Sequence, residues 1–204
     1  MLSSHVRSSK PRAKIFVVSA PSGAGKTTLC KKLLEDDLGL ADSISMTTRP
    51  PRPGEKDGVD YKFVTRAQFL KIARSKGFLE HENNFGFLYG TPRKFVDEKL
   101  ANGISVLLSI DVKGAMKVRR LYRKRAVLIF ILPPSMAALA KRLKGRMADS
   151  RESIKTRLAI AKKEMACKTA YDYRIINDKI DKAYRKLKNI VTSELERGSI
   201  SCKT

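Results

Sequence analysis

The sequence predicts an α/β fold in which a parallel sheet is flanked by helices and carries a small mixed α/β lobe and a lid. Three observations point there. Short, near-continuous apolar runs recur at Ile15–Ser19, Ile104–Ile110 and Ala126–Leu132. Runs this short and rich in β-branched residues suit strands covered on both faces. Helix-compatible segments follow each run, the alternation that builds a parallel sheet through helical crossovers. The first run also leads directly into a glycine-rich turn, Ala20-Pro-Ser-Gly-Ala-Gly-Lys-Thr27, ahead of a helical stretch from Thr28 to about Leu38.

A strand, that turn and a helix together form the phosphate-cradling element of a P-loop NTPase core. Gly23 and Gly25 permit backbone conformations closed to bulkier residues, so successive N–H groups can converge on phosphate oxygens. The helix that starts there adds the positive end of its dipole. Lys26 is placed to reach the β- and γ-phosphates and the Thr27 hydroxyl to ligate Mg²⁺. Ala20, Pro21, Ser22, Ala24 and Thr28 complete the expected ATP-binding loop. The usual first glycine of the pattern is Ala20 here, a mild departure, because the later glycines carry the close approach.

The remaining elements follow in order. Residues 1–13 read as a flexible basic tail, serine-rich and without the apolar stretch of a secretory signal. The core is expected over about 14–42, 92–143 and 152–204. Within it, helices are expected at about Lys113–Leu121, Ser135–Lys144 and Glu152–Thr169, with Ser135 as an N-cap after Pro133-Pro134. Tyr173–Asn177 reads as a last short strand and Lys179–Glu196 as the closing helix. Residues 43–91, richer in Arg, Gly, Pro and aromatics with a turn signal at Asp57-Gly58, read as a partly antiparallel acceptor lobe. The polar stretch 144–151 is placed like a lid. A core, an acceptor lobe and a lid are what a two-substrate kinase needs, since water must be kept from the transferred phosphoryl group.

Composition narrows the class further. At 204 residues, with 42% hydrophobic and 31% charged residues, the chain fits one globular domain and not a disordered or fibrous protein. No apolar run approaches the roughly 18 residues of a bilayer span. Cys30, Cys167 and Cys202 show no metal spacing or pairing, and two histidines leave nothing to build a zinc site. A reducing, cytoplasmic setting is expected. Lys+Arg 43 against Asp+Glu 20 gives a net charge of +23, a field that attracts polyanions. Either nucleic acid or highly anionic nucleotide substrates would answer to it. With no helix-turn-helix, aromatic RNA-binding or zinc-knuckle cue, nucleic acid is expected only through nonspecific attraction. The sequence carries no signal for oligomeric state.

The acceptor lobe holds the residues that bear on substrate. Arg49 and Arg52, three residues apart, can grip a phosphate with planar forks, and Tyr61 can donate a hydroxyl; a solvated basic loop is the competing reading. Phe78-Leu-Glu80 and Tyr89-Gly-Thr91 flank a possible hairpin. Together with the phosphate loop, the stretches Thr47-Thr-Arg-Pro-Pro-Arg-Pro-Gly-Glu55, Gly58-Val-Asp-Tyr-Lys-Phe63, Ile110-Asp111 with Gly114, Pro133-Pro-Ser135 and Ile176-Asn-Asp178 resemble the guanylate kinase family over about residues 14 to 197.

The resemblance implies ATP and GMP as substrates, with dGMP an open possibility, Mg²⁺ as cofactor, no membrane partner, and specific roles. Residues at Ser45, Glu80 and Thr91 would read guanine, and Arg49, Arg52, Tyr61 and Tyr89 with Gly90 would hold the GMP phosphate. Chemistry agrees at Glu80: guanine's adjacent N1–H and N2–H donors match an acceptor-only carboxylate, which adenine would leave unpaired. Asp111, ending an apolar strand, would lie near GMP and metal, with helix capping as the competing role. The family usually carries another acid two residues earlier, where this chain has Ser109. Arg146 and Arg157 match arginines that close on the transferred phosphoryl group, with Arg142 and Arg151 nearby, while Met147-Ala148-Asp149 departs from the family's lid. Asn177 would lie beside the adenine. The catalytic set implied is Lys26, Arg49, Arg146 and Arg157. Retention of Lys26, Thr27, Arg49, Arg52 and Arg157 argues against a catalytically silent, protein-binding relative.

Overall fold

The computed structural model describes residues 13–145 and 151–200. Its core is a five-stranded sheet of β1 (Ile15–Ser19), β2 (Ala41–Asp42), β7 (Val106–Ser109), β8 (Ala126–Leu132) and β9 (Tyr173–Ile176). The order is β2-β7-β1-β8-β9 and every pairing is parallel. The apolar runs are continuous because both faces are covered. Ile15 and Val17 face α3 (Arg93–Ala101) and α4 (Val112–Tyr122) through Val96, Leu100, Ala115 and Val118. Phe16 and Val18, one step along the pleat, face α1 (Lys26–Glu35) and α7 (Ile180–Ile200) through Leu29, Leu33, Leu187 and Val191. Each such fully buried side chain contributes about 1.5–3 kcal/mol, so β1 is anchored from both sides where it delivers the phosphate loop.

A second sheet of four strands, β4-β3-β6-β5, comprises β3 (Met46–Thr47), β4 (Lys62–Phe63), β5 (Phe78–Asn84) and β6 (Phe87–Pro92). β5 and β6 form the expected hairpin, and β3 pairs antiparallel with β6 but parallel with β4. The lobe also holds α2 (Arg66–Arg74), which the apolar pattern alone does not announce. Its signal is the capping box Thr65-x-x-Gln68, with both reciprocal bonds formed.

Element ends differ from expectation for local reasons. α1 starts at Lys26 and not Thr28, because Gly25 in the left-handed region caps it, and stops at Glu35 where Asp36 turns extended. The strand expected from Ile104 begins at Val106: Ile104 N–H still donates to Lys99 O, held back by the end of α3. α5 (Met136–Lys144) is capped by Ser135 as expected. α6 (Arg151–Ala166) ends before Thr169 and gives way to a 3-10 turn over Cys167–Ala170. Residues 146–150, with Arg146 and Met147-Ala148-Asp149, lie outside the described residues, as do residues 1–12 and the side chain of Arg151. No described helix is long and apolar enough to cross a membrane.

Candidate active site

One cavity of about 750 Å³ is lined by both the phosphate loop and the acceptor lobe. On the loop side, Gly23 (φ 89°) and Gly25 (φ 95°) take the left-handed conformations that the turn requires. Ala20 is not among the positive-φ residues, which is why alanine serves where the pattern usually has glycine. Ala24 N–H donates to Pro21 O at 3.0 Å and closes the turn. Asn177 lies behind it, 4% exposed, with its amide donating to Ala24 O at 2.8 Å. A Cβ on Gly25 would sit 2.3 Å from that amide nitrogen, so loop and brace fit only with glycine there. The Asn177 backbone carbonyl accepts from Arg142 at 2.8 Å. Asn177 therefore stands behind the loop and not on the cavity wall, and Arg142 is committed to it.

Lys26 donates to Ile110 O at 3.1 Å, and burial pushes its ammonium below the usual lysine range, partly offset by Cys30 and Asp111. Thr27 and Thr28 are exposed to the cavity. Across from them Asp111 ends the strand–loop after β7 and does two things. One carboxylate oxygen caps α4 from Gly114 N–H at 2.9 Å; the other accepts from the Asn84 amide at 2.8 Å. Capping and a cavity position are thus compatible roles.

The acceptor side is built from side chains. Glu80 on β5 is 6% exposed and accepts from Thr91 Oγ1 on β6 at 2.5 Å. Burial pushes its carboxyl up to about 7, with the Thr91 bond pulling it back and Asp111 adding to the rise. α4 can approach this carboxylate only because residue 114 is glycine: a Cβ there would lie 2.6 Å from Glu80 Oε2. Gly90 is required in the same way, packed under the stacked rings of Phe69 and Phe78.

The two arginines differ. Arg49, 8% exposed, donates to Tyr89 Oη at 3.2 Å, to Pro50 O at 2.7 Å and to both Glu55 oxygens at 2.9 Å. All three guanidinium nitrogens are so engaged, Nη2 being shared between the two Glu55 oxygens. The exposed Arg52 guanidinium makes no hydrogen bond or ion pair among the described residues and keeps its whole fork for a ligand. Tyr61 packs edge-on to Tyr89, 5.9 Å between ring centres, and Ser45 lines the same wall.

From α6, Arg157 donates to Ser22 Oγ at 3.2 Å. Of the expected site residues, the cavity gathers all but Ala24, Thr91 and Asn177, which stand just behind it, and Arg146, which is not described. Sequence reasoning missed Glu55, Asn84, Phe85 and Glu164. Glu164 lines the cavity, and burial together with Asp111 lifts its carboxyl to about 7 against the pull of Lys26. Its signal was present: Arg157, Ile160 and Glu164 repeat at three- and four-residue spacing, one face of one helix.

A family model described as "Guanylate kinase" matches residues 12–194. The chain belongs to the guanylate kinase family. It is 48% identical over 185 residues to a guanylate kinase of Wolbachia pipientis wMel, covering 91% of this chain and 92% of that one. A guanylate kinase of Hahella chejuensis is 47% identical over 189 residues, covering 93% and 90% respectively. Among solved structures, guanylate kinase from Anaplasma phagocytophilum superposes with a TM-score of 0.78 at 39% identity, over 91% of this chain and 88% of that one. As a guanylate kinase, the chain is an ATP:GMP phosphotransferase.

Proposed function

We propose that this cavity holds ATP on the phosphate loop and GMP in the acceptor lobe, and that the γ-phosphoryl passes directly from one to the other. The observation that carries the reading is Glu80, a buried carboxylate lining the same cavity as Lys26. Its oxygens accept guanine N1–H and N2–H, with Thr91 holding the carboxylate in place. Arg52 grips the acceptor phosphate bidentately. Arg49, held by Glu55, adds its charge, and the Tyr89 hydroxyl, which accepts from Arg49, donates its own proton to the phosphate.

The GMP phosphate is the nucleophile, so no protein nucleophile or general base is needed. Charge in a loose phosphoryl-transfer transition state spreads over oxygens, and the work of the protein is positioning and electrostatics. Lys26 at the start of α1 and Arg157 on α6 supply positive charge, and Arg146 is assigned to the same task. The Thr27 hydroxyl is a hard oxygen donor that would suit Mg²⁺, beside ATP phosphate oxygens and water. When bound, Mg²⁺ neutralises charge on the β- and γ-phosphate oxygens. A cytoplasmic setting is supported by Cys30 and Cys167, both free thiols.

The test is an acceptor panel: GMP, AMP, CMP and UMP each supplied with Mg-ATP, with ADP release followed. GMP should turn over at least ~10³ times more efficiently than AMP, because adenine leaves the Glu80 carboxylate unpaired. Equal turnover of AMP would remove the guanine-reading role.

A further inference from the structure

The turn of the β5–β6 hairpin carries an aromatic ring in an unusual place. Phe85 has φ 54°, a left-handed conformation rarely taken by bulky residues, and the residue is 53% exposed. The turn is pinned on either side: Asn83 Oδ1 accepts from Gly86 N–H at 3.0 Å, and Asn84 donates to Asp111 at 2.8 Å. Strain of this kind persists where surrounding contacts over-determine it, and such places cluster at functional sites. Core packing does not explain a ring half in solvent. What the ring does face is a cation: the Arg157 guanidinium carbon stands 5.1 Å from its centroid. That same guanidinium donates to Ser22 of the phosphate loop.

We infer that Phe85 is a positioning residue, which holds Arg157 over the phosphate loop from the tip of the acceptor lobe. The inference rests on the role given to Arg157 above. A planar guanidinium stacks on an aromatic face while its edge keeps its donors, so the ring can orient the arginine without consuming the N–H groups meant for phosphate. The hairpin that carries Glu80 and Tyr89 thereby also sets the arginine on α6, and Asn84 ties the same turn to Asp111. Occupancy of the acceptor lobe and alignment of the transfer groups become one mechanical event.

The experiment measures kcat and both KM values for Phe85→Leu, Phe85→Trp, Arg157→Met and the double variant Phe85→Leu with Arg157→Met. A contact of this class is worth about 2- to 30-fold. Phe85→Leu should lower kcat by about that factor, with KM for GMP within about twofold, while Phe85→Trp retains activity because it keeps the π-face. In the Arg157→Met background the Phe85→Leu substitution should cost nothing further. The chain contains no tryptophan, so Phe85→Trp also installs a sole tryptophan, excitable apart from the six tyrosines. Its emission should change when Arg157→Met is added. Wild-type kcat in Phe85→Leu, an undiminished Phe85→Leu penalty in the Arg157→Met background, or emission unaffected by Arg157→Met each overturns the inference. An unchanged kcat in Arg157→Met alone would instead overturn the assigned role of Arg157.

Discussion

Under the proposed function, the phosphate loop binds mainly through backbone amides, helped by Lys26 and Thr27, and the acceptor lobe binds through side chains. The loop is shaped by two left-handed glycines, a turn bond and the Asn177 brace, all of them contacts within the fold. The acceptor lobe holds two of its charges against internal partners, Glu55 on Arg49 and Thr91 on Glu80, and leaves the Arg52 fork open. Backbone donors are easily preorganised, since the turn itself satisfies the chain, whereas a buried carboxylate must be desolvated. Glu80 shows that cost in a carboxyl raised to about 7. The proposed function thus gives the generic nucleotide tail to the less demanding device and the specific base to the more demanding one.

The sharpest way to break this contrast acts on the loop side. Lys26→Ala should lower kcat by about 10²–10³-fold, the scale of losing one preorganised electrostatic donor. GMP binding, measured by titration without ATP, should hold within about twofold if Lys26 serves the other nucleotide as proposed. On the acceptor side, Gly114→Ala places a methyl 2.6 Å from Glu80 Oε2 and must displace the carboxylate. Displacement of that order is expected to cost about 10- to 100-fold in kcat/KM for GMP. KM for ATP should stay unchanged, which also shows the variant is folded.

A smaller effect sharpens the comparison through pH. The raised Glu80 pKa means that the empty folded site binds a proton up to about pH 7, whereas guanine needs the ionised form. GMP binding should therefore weaken as pH falls, with KM for GMP rising about tenfold from pH 8 to pH 6. KM for ATP should not follow it, and Glu80→Gln should flatten the GMP profile across that range. A parallel drift of both constants would place the titrating group elsewhere.

How much of this was legible in the sequence follows the same division. The phosphate loop is local: strand, glycines, Lys26 and helix are contiguous, and Ser135 likewise announces its helix by itself. The acceptor site brings together β3, the 49–61 loop, β5, β6 and the start of α4, and no period or spacing says that Glu80 meets Gly114. Only the resemblance placed Glu80 and Thr91 together. Nothing in Phe85 or Asn84 as residue types marks them either, since their meaning comes from a hairpin tip reaching α6 and Asp111. The sequence offers Arg49 and Arg52 alike as phosphate forks or as a solvated basic loop, while the engagement of Arg49 by Glu55 is a tertiary fact.

The central claim is that one buried carboxylate reads the base independently of the loop that holds ATP. Calorimetric titration of GMP, and separately of ATP, into wild-type protein and Glu80→Gln at pH 8 tests it most directly. GMP affinity should fall by about 10²-fold or more, since an amide presents donors to donors, with ATP affinity unchanged. Equal shifts in both affinities, or none in either, would contradict the account.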